Sequence, residues 1–96
     1  MIILKLLFYA NIRNDFGEEQ IVNVQEHHIT IIELFQLFHS KTNQRADQYF
    51  LDKGGERLKE NMVILINGRN IKALNELMTV ITESCEISFF PLIAGG

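Results

Sequence analysis

Cysteine occurs once, at Cys85, so no intrachain disulfide can close and no multi-cysteine zinc site is available. That scarcity fits a reducing compartment. Basic residues are too few and too scattered for a nucleic-acid footprint: nine Lys and Arg against twelve Asp and Glu give a net charge of -3, with no basic stripe. No segment approaches the roughly 20 apolar residues needed to cross a bilayer. The apolar start, Met1 to Ala10, lacks a basic leader, is interrupted by Lys5 and is followed by no small-x-small cleavage pattern. A cytoplasmic protein without nucleic-acid or membrane partners is therefore expected. Composition is otherwise ordinary, with 47% hydrophobic and 22% charged residues, and 96 residues make a single domain.

The pattern along the chain predicts an α+β fold. Ile2 to Tyr9 is a short run of strand formers, and Asn11, Asn14, Asp15 and Gly17 supply turn chemistry after it. Glu19 to Gln25 alternates, with Val22 and Val24 on one side, as a strand returning antiparallel to the first. Thr30-Ile31-Ile32-Glu33 is a capping box, and Ile31, Leu34, Phe35 and Phe38 follow at helical spacing, which predicts a helix over about 31–41. Lys41 suits the negative end of its dipole. Residues 42–61 are polar and irregular, with a turn at Gly54-Gly55 and Tyr49, Phe50 and Leu51 folding back as a short helical turn. Met62 to Ile66 predicts a strand, Asn67-Gly68 a tight turn, Leu74 to Met78 a single turn, and Glu86 to Phe90 the last strand. Pro91 lacks a backbone donor and should discourage further pairing.

No second long helix is present, which disfavours a ferredoxin-like order. The β-grasp arrangement satisfies the pattern: a mixed sheet of four or five strands, one main helix on one face, and the first and last strands parallel in the middle. The expected division is a β-grasp domain over 1–90 and a flexible tail over 91–96.

Two features exceed what composition explains. Two terminal glycines, Gly95 and Gly96, occur by chance in roughly one chain in two hundred. The pair alone is equally compatible with a frayed end; directly after a strand it points to function. Residues without Cβ atoms thread narrow channels, and six residues from Pro91 onward extend about 20 Å. The terminal carboxylate becomes electrophilic once joined to AMP, and sulfur delivered to that acyl carbon leaves a nucleophilic thiocarboxylate.

The second feature is a surplus of apolar strand residues. One short helix covers one sheet face. The other, with Ile3, Leu7, Tyr9 and Phe90 beside either Met62, Ile64 and Ile66 or Val63 and Leu65, is either an exposed partner-binding patch or is covered by 42–61.

The ending Phe89-Phe90-Pro91-Leu92-Ile93-Ala94-Gly95-Gly96 resembles that of the MoaD/ThiS sulfur-carrier family, and among its branches the small subunit of molybdopterin synthase most of all. Phe8-Tyr9-Ala10 with Arg13 and Gly17, the run Val63 to Arg69 with its Asn67-Gly68, and Thr79-Val80-Ile81 resemble the same branch. The resemblance implies a non-catalytic carrier subunit whose Gly96 is adenylated by a ubiquitin-activating-type enzyme that uses ATP, converted to a thiocarboxylate, and inserted into the large synthase subunit for molybdopterin or tungstopterin synthesis. Partner contacts carried over are Gly95, Ala94, Ile93, Leu92, Pro91, Phe90, Tyr9 and Arg13, with no bound cofactor and no metal. Leu92 stands where a second proline is usual, implying a less stiff tail, and Ser84-Cys85 replaces a common Gly-Asp turn. The same tail would serve a ubiquitin-like modifier conjugated through Gly96, or a carrier for thiamine or cysteine synthesis.

Several residues are set aside. His27, His28 and His39 read as solvated polar residues rather than a metal cluster with Cys85. Cys85 reads as a turn residue whose acidic neighbours disfavour its thiolate. Glu18-Glu19 reads as a solvated pair, and Arg13 fits a partner contact and a solvated loop charge equally.

Overall fold

A computed structural model describes residues 1–52 and 54–92 of the chain. Strands β1 (Ile2–Phe8), β2 (Glu19–Val24), β4 (Met62–Ile66), β5 (Arg69–Asn70) and β7 (Cys85–Pro91) form one sheet in the order β2-β1-β7-β4-β5. Strands β3 (Ile29–Thr30) and β6 (Val80–Ile81) form a separate antiparallel pair. The helices are α1 (Arg13–Phe16), α2 (Ile31–Thr42) and α3 (Ala46–Phe50). β1 and β7 lie side by side in parallel, flanked by antiparallel β2 and β4, which is the expected β-grasp arrangement.

Local chemistry explains most boundaries. In β1 the even residues Ile2, Leu4, Leu6 and Phe8 are buried and the odd ones face out, the period-2 signature of a half-covered strand. At α2, the Thr30 hydroxyl accepts from the Glu33 amide at 3.2 Å, and the Glu33 carboxylate accepts from the Thr30 amide at 2.9 Å. Asn43, in the left-handed region at φ 62°, ends the helix. Lys41 does more than suit the dipole, donating to the Asn23 carbonyl of β2 at 2.6 Å. Asn67 and Gly68 both have positive φ, 47° and 86°, as the two-residue hairpin between β4 and β5 requires.

The core is aromatic on the helix side of the sheet. Six phenylalanines, Phe8, Phe16, Phe35, Phe38, Phe50 and Phe89, are buried together there. Phe50 packs its ring 5.1 Å from Phe89 and 5.7 Å from Phe16. The segment after α2, polar and irregular by pattern, thus contributes α3 to the inner layer through buried Ala46, Phe50 and Leu51.

Four expectations change. The turn region after β1 holds a 3-10 turn, Ala10–Ile12, followed by α1, because Ile12 and Phe16 are drawn into the core. The single turn expected over 74–78 is the 3-10 turn Glu76–Met78, but a second 3-10 turn, Ile71–Ala73, precedes it. Cys85 is the first residue of β7 rather than a turn residue, paired with Leu4. Finally, the sheet runs past the expected domain limit at 90, since Pro91 pairs with Met62.

Pairing phase explains why that proline is tolerated. Asn67 donates to the Glu86 carbonyl at 2.9 Å and Leu92 to the Asn61 carbonyl at 2.7 Å, so even-numbered β7 residues direct their backbone groups at β4. Odd-numbered ones face β1, as the bond from the Tyr9 amide to the Phe89 carbonyl shows. β1 has ended by residue 91, so the donor that Pro91 lacks would have had no strand to meet.

Candidate functional site

The end of the sheet where β7 leaves the body gathers most of the residues singled out by the sequence. Phe90 directs its ring to the outer face, against Tyr9 at 5.9 Å and nearly perpendicular. The Arg13 guanidinium lies over the Tyr9 ring, 5.4 Å from its centroid. Arg13 is held there by α1: its Nε donates to the Phe8 carbonyl at 2.8 Å, and its terminal nitrogen lies 3.9 Å from the Glu18 carboxylate. The Phe8 amide donates to the Glu18 carbonyl at 3.0 Å, closing the loop against β1. The result is a stack, Arg13 on Tyr9 on Phe90, beside half-buried Pro91 and exposed Leu92.

Tyr9, Arg13, Phe90, Pro91 and Leu92 are therefore brought together by the fold. Ile93, Ala94, Gly95 and Gly96 lie outside the described residues. Arg13 engages Phe8, Tyr9 and Glu18 and is more than a loose loop charge.

The outer face continues inward from this stack. The pattern of β4 leaves its facing open, but register decides it: Val63 stands opposite Phe90 and Leu65 opposite Ser88, whereas Met62 and Ile64 are buried on the helix side. Leu7 is paired with Ser88 across the central parallel strands. Leu7, Tyr9, Phe90, Val63 and Leu65 thus make an apolar strip that ends at the exit of β7. α3 sits on the opposite layer with Phe50 and does not cover this face, where Tyr9 is exposed, Leu7, Leu65 and Phe90 are half-buried and Val63 is buried. Lys5, bonded to Glu19 at 3.5 Å, marks its polar border, and Ile3 and Ile21 are exposed beyond it.

Metal-ligand clusters are absent among the described residues. His27 and His28 are exposed in the loop after β2, and His39 is half-buried on α2. Burial pushes the Cys85 thiol above its ordinary pKa, which leaves it a poor nucleophile. No described helix is long and apolar enough to cross a membrane.

The sequence model of the ThiS family matches residues 6–96. The chain belongs to the ThiS family. No curated protein matches it. Among solved structures, it is similar to the small archaeal modifier protein 1 (SAMP1) from Methanosarcina acetivorans, with 30% identity and a TM-score of 0.74 over 100% of this chain and 98% of that one. CysO, in the BexX/CysO complex from Amycolatopsis orientalis, has 18% identity and a TM-score of 0.72 over 97% of this chain and 99% of that one. A putative molybdopterin converting factor, subunit 1, from Pyrococcus furiosus has 18% identity and a TM-score of 0.67 over 97% of this chain and 100% of that one. The last two likenesses show the fold alone. This ThiS-family member thus joins a group of small carrier and modifier proteins.

Proposed function

We propose that this chain carries sulfur on the carboxylate of Gly96 and donates it in molybdopterin or tungstopterin synthesis, as the small, non-catalytic subunit of a synthase. The carboxylate attacks the α-phosphorus of ATP on a ubiquitin-activating-type enzyme, pyrophosphate leaves, and an acyl-adenylate forms. Hydrosulfide then attacks the acyl carbon, the bond to AMP breaks, and a thiocarboxylate results. Gly95 and Gly96 suit the narrow channels of both partners because neither carries a Cβ. The partner contacts would be the exit stack, Arg13, Tyr9, Phe90, Pro91 and Leu92, with Ile93 and Ala94 inside the channel. The carrier itself would bind no cofactor and would work in the cytoplasm.

One observation carries this reading: the last strand runs unbroken to Pro91 and ends beside a partly exposed apolar strip, so a partner that grips the strip would receive the terminus. Intact-mass measurement after co-expression with the adenylating enzyme tests it. The expected product is heavier by the difference between sulfur and oxygen, at Gly96; persistent absence of that species defeats the reading.

A second reading, conjugation to lysines of other proteins, is favoured by the 30% identity to a small archaeal modifier protein over the whole chain. Higher-mass conjugates in extract, lost on deleting Gly96, would establish it.

A further inference from the structure

The stack of Arg13, Tyr9 and Phe90 leaves part of its cation unused. Arg13 Nε is committed to the Phe8 carbonyl at 2.8 Å, and the guanidinium carbon lies 5.4 Å from the centre of the Tyr9 ring. Ala10, in the left-handed region at φ 58°, turns the chain so that residue 13 comes back to residue 8, a conformation that residues with a side chain seldom adopt. Of the five guanidinium donors, only Nε–H is hydrogen-bonded among the described residues. The Glu18 carboxylate stands 3.9 Å from a terminal nitrogen, beyond hydrogen-bond reach, and its side chain is 78% exposed. The cation is thus fixed by the backbone and the ring and only loosely held by its acid.

We infer that Arg13 offers its two terminal nitrogens to a carboxylate of the adenylating enzyme, and that Glu18 is an internal stand-in which this carboxylate displaces. The identity of the partner rests on the carrier reading; the open cation does not. A planar carboxylate accepts two parallel N–H bonds from a guanidinium fork, a match that a point charge cannot give. The fork is already held in place by Phe8 and Tyr9, so little side-chain freedom is lost when a partner engages it. Arg13 also stands at the β7 end of the apolar strip, where a charged rim borders an apolar contact. A doubly charged phosphate meets more repulsion from Glu18, and from a chain of net charge -3, than a singly charged carboxylate does. Glu18 then works as a filter: a partner with no acid at this place leaves Arg13 with Glu18 and gains nothing from it, whereas an acidic one replaces a weak, exposed contact with a close pair.

Calorimetric affinity of the full chain for the adenylating enzyme tests the pairing. Arg13→Ala should weaken binding by about tenfold or more. Arg13→Lys, which keeps the charge but loses the fork, should recover only part of that loss. Glu18→Gln keeps the backbone carbonyl that the Phe8 amide bonds, and it should tighten binding by about 1.5- to fivefold, a gain that fades as salt rises. Glu26→Gln, the same charge change beyond the far end of β2, should bring no such gain. In an Arg13→Ala background Glu18→Gln should also bring none, which separates a shared partner from a general loss of negative charge. Wild-type affinity in Arg13→Lys, or a gain from Glu18→Gln that survives without Arg13, overturns the pairing. In the free protein, inorganic phosphate that shifts the Arg13 Nε resonance at a lower concentration than acetate overturns the choice of a carboxylate. If the enzyme binds with this dependence on Arg13 yet no sulfur reaches Gly96, the carrier reading fails and the pairing stands; if the wild type does not bind the enzyme, the pairing fails.

Discussion

Replacing Phe50 by Ala asks whether the segment after α2 belongs to the core. Phe50 is 1% exposed and stacks among Phe16, Phe35, Tyr49 and Phe89 at 5.7, 6.0, 5.1 and 5.1 Å. A buried Phe removes about 200 Å² from water, which at about 25 cal/mol per Å² amounts to about 5 kcal/mol before subtracting what alanine retains. Measured Phe-to-Ala truncations in cores fall at about 3–5 kcal/mol, and the aromatic rings that enclose Phe50 place this one near about 4 kcal/mol. For a domain of this size each kcal/mol moves the thermal midpoint by about 4–8 °C, so a fall of at least about 15 °C is expected. The chain has no tryptophan, so far-UV circular dichroism during urea unfolding is the natural probe. The midpoint should drop with little change in the denaturant slope. A loss under about 1.5 kcal/mol would refute the packing of α3 onto the sheet, because no ring buried among other aromatics is that dispensable.

Other outcomes follow from the same geometry. Phe90→Ala, on the outer face and half-buried, should cost clearly less than Phe50→Ala in urea unfolding while weakening capture by the adenylating enzyme. Thr30→Ala removes one half of the capping box and should cost about 1 kcal/mol by thermal unfolding. Backbone and then side-chain hydrogen bonds from Thr30 hold the Glu33 carboxylate below its ordinary pKa, so its contribution is present above the ordinary glutamate range and lost as pH falls through the lower folded value. The acid limb of the stability profile should therefore flatten in Glu33→Gln. Burial raises the Cys85 thiol, so iodoacetamide should label it more slowly at neutral pH than it labels a free cysteine, and unfolding should abolish the difference.

Legibility in the sequence tracks how local the cause is. The capping box of Thr30 and Glu33, the alternation of β1 and the Asn67-Gly68 hairpin each depend on residues within a few positions, and each appears where the pattern puts it. The β3–β6 pair is invisible in the pattern because two-residue strands carry no periodicity; Ile29 and Ile81 meet only because the start of α2 and the chain before β7 converge. α3 is faint for a related reason: five residues give less than two turns, and Ala46 and Phe50 are its only fully buried positions. Pro91 departs from expectation because a proline is tested against the strand its nitrogen faces, and that depends on which neighbour has already ended. Leu92, standing where a proline is usual, suggests a looser tail, yet an amide in that place is what reaches Asn61. Of the candidate site, Tyr9, Phe90 and Arg13 are legible as separate residues but not as a stack, since Tyr9 and Phe90 are joined only by the parallel pairing of β1 with β7.

The two apolar surpluses in the chain resolve in opposite directions, and the difference is physical. Residues 46–51 could have covered either face of the sheet, but the inner face offers clustered phenylalanines and a helix edge at α2, whereas the outer face offers a narrow strip interrupted by Ser88 and bordered by Lys5 and Glu19. Burying Phe50 inside removes more apolar area than laying it on that strip, so the segment goes inward and does not cover the outer strip. The outer strip is built on β1, β7 and β4, the strands that also hold Pro91 in place. Under the proposed function, a partner seated on Leu7, Tyr9, Leu65 and Phe90 would grip the strand that leads to Pro91, and binding energy gained on the strip would go into positioning that strand end.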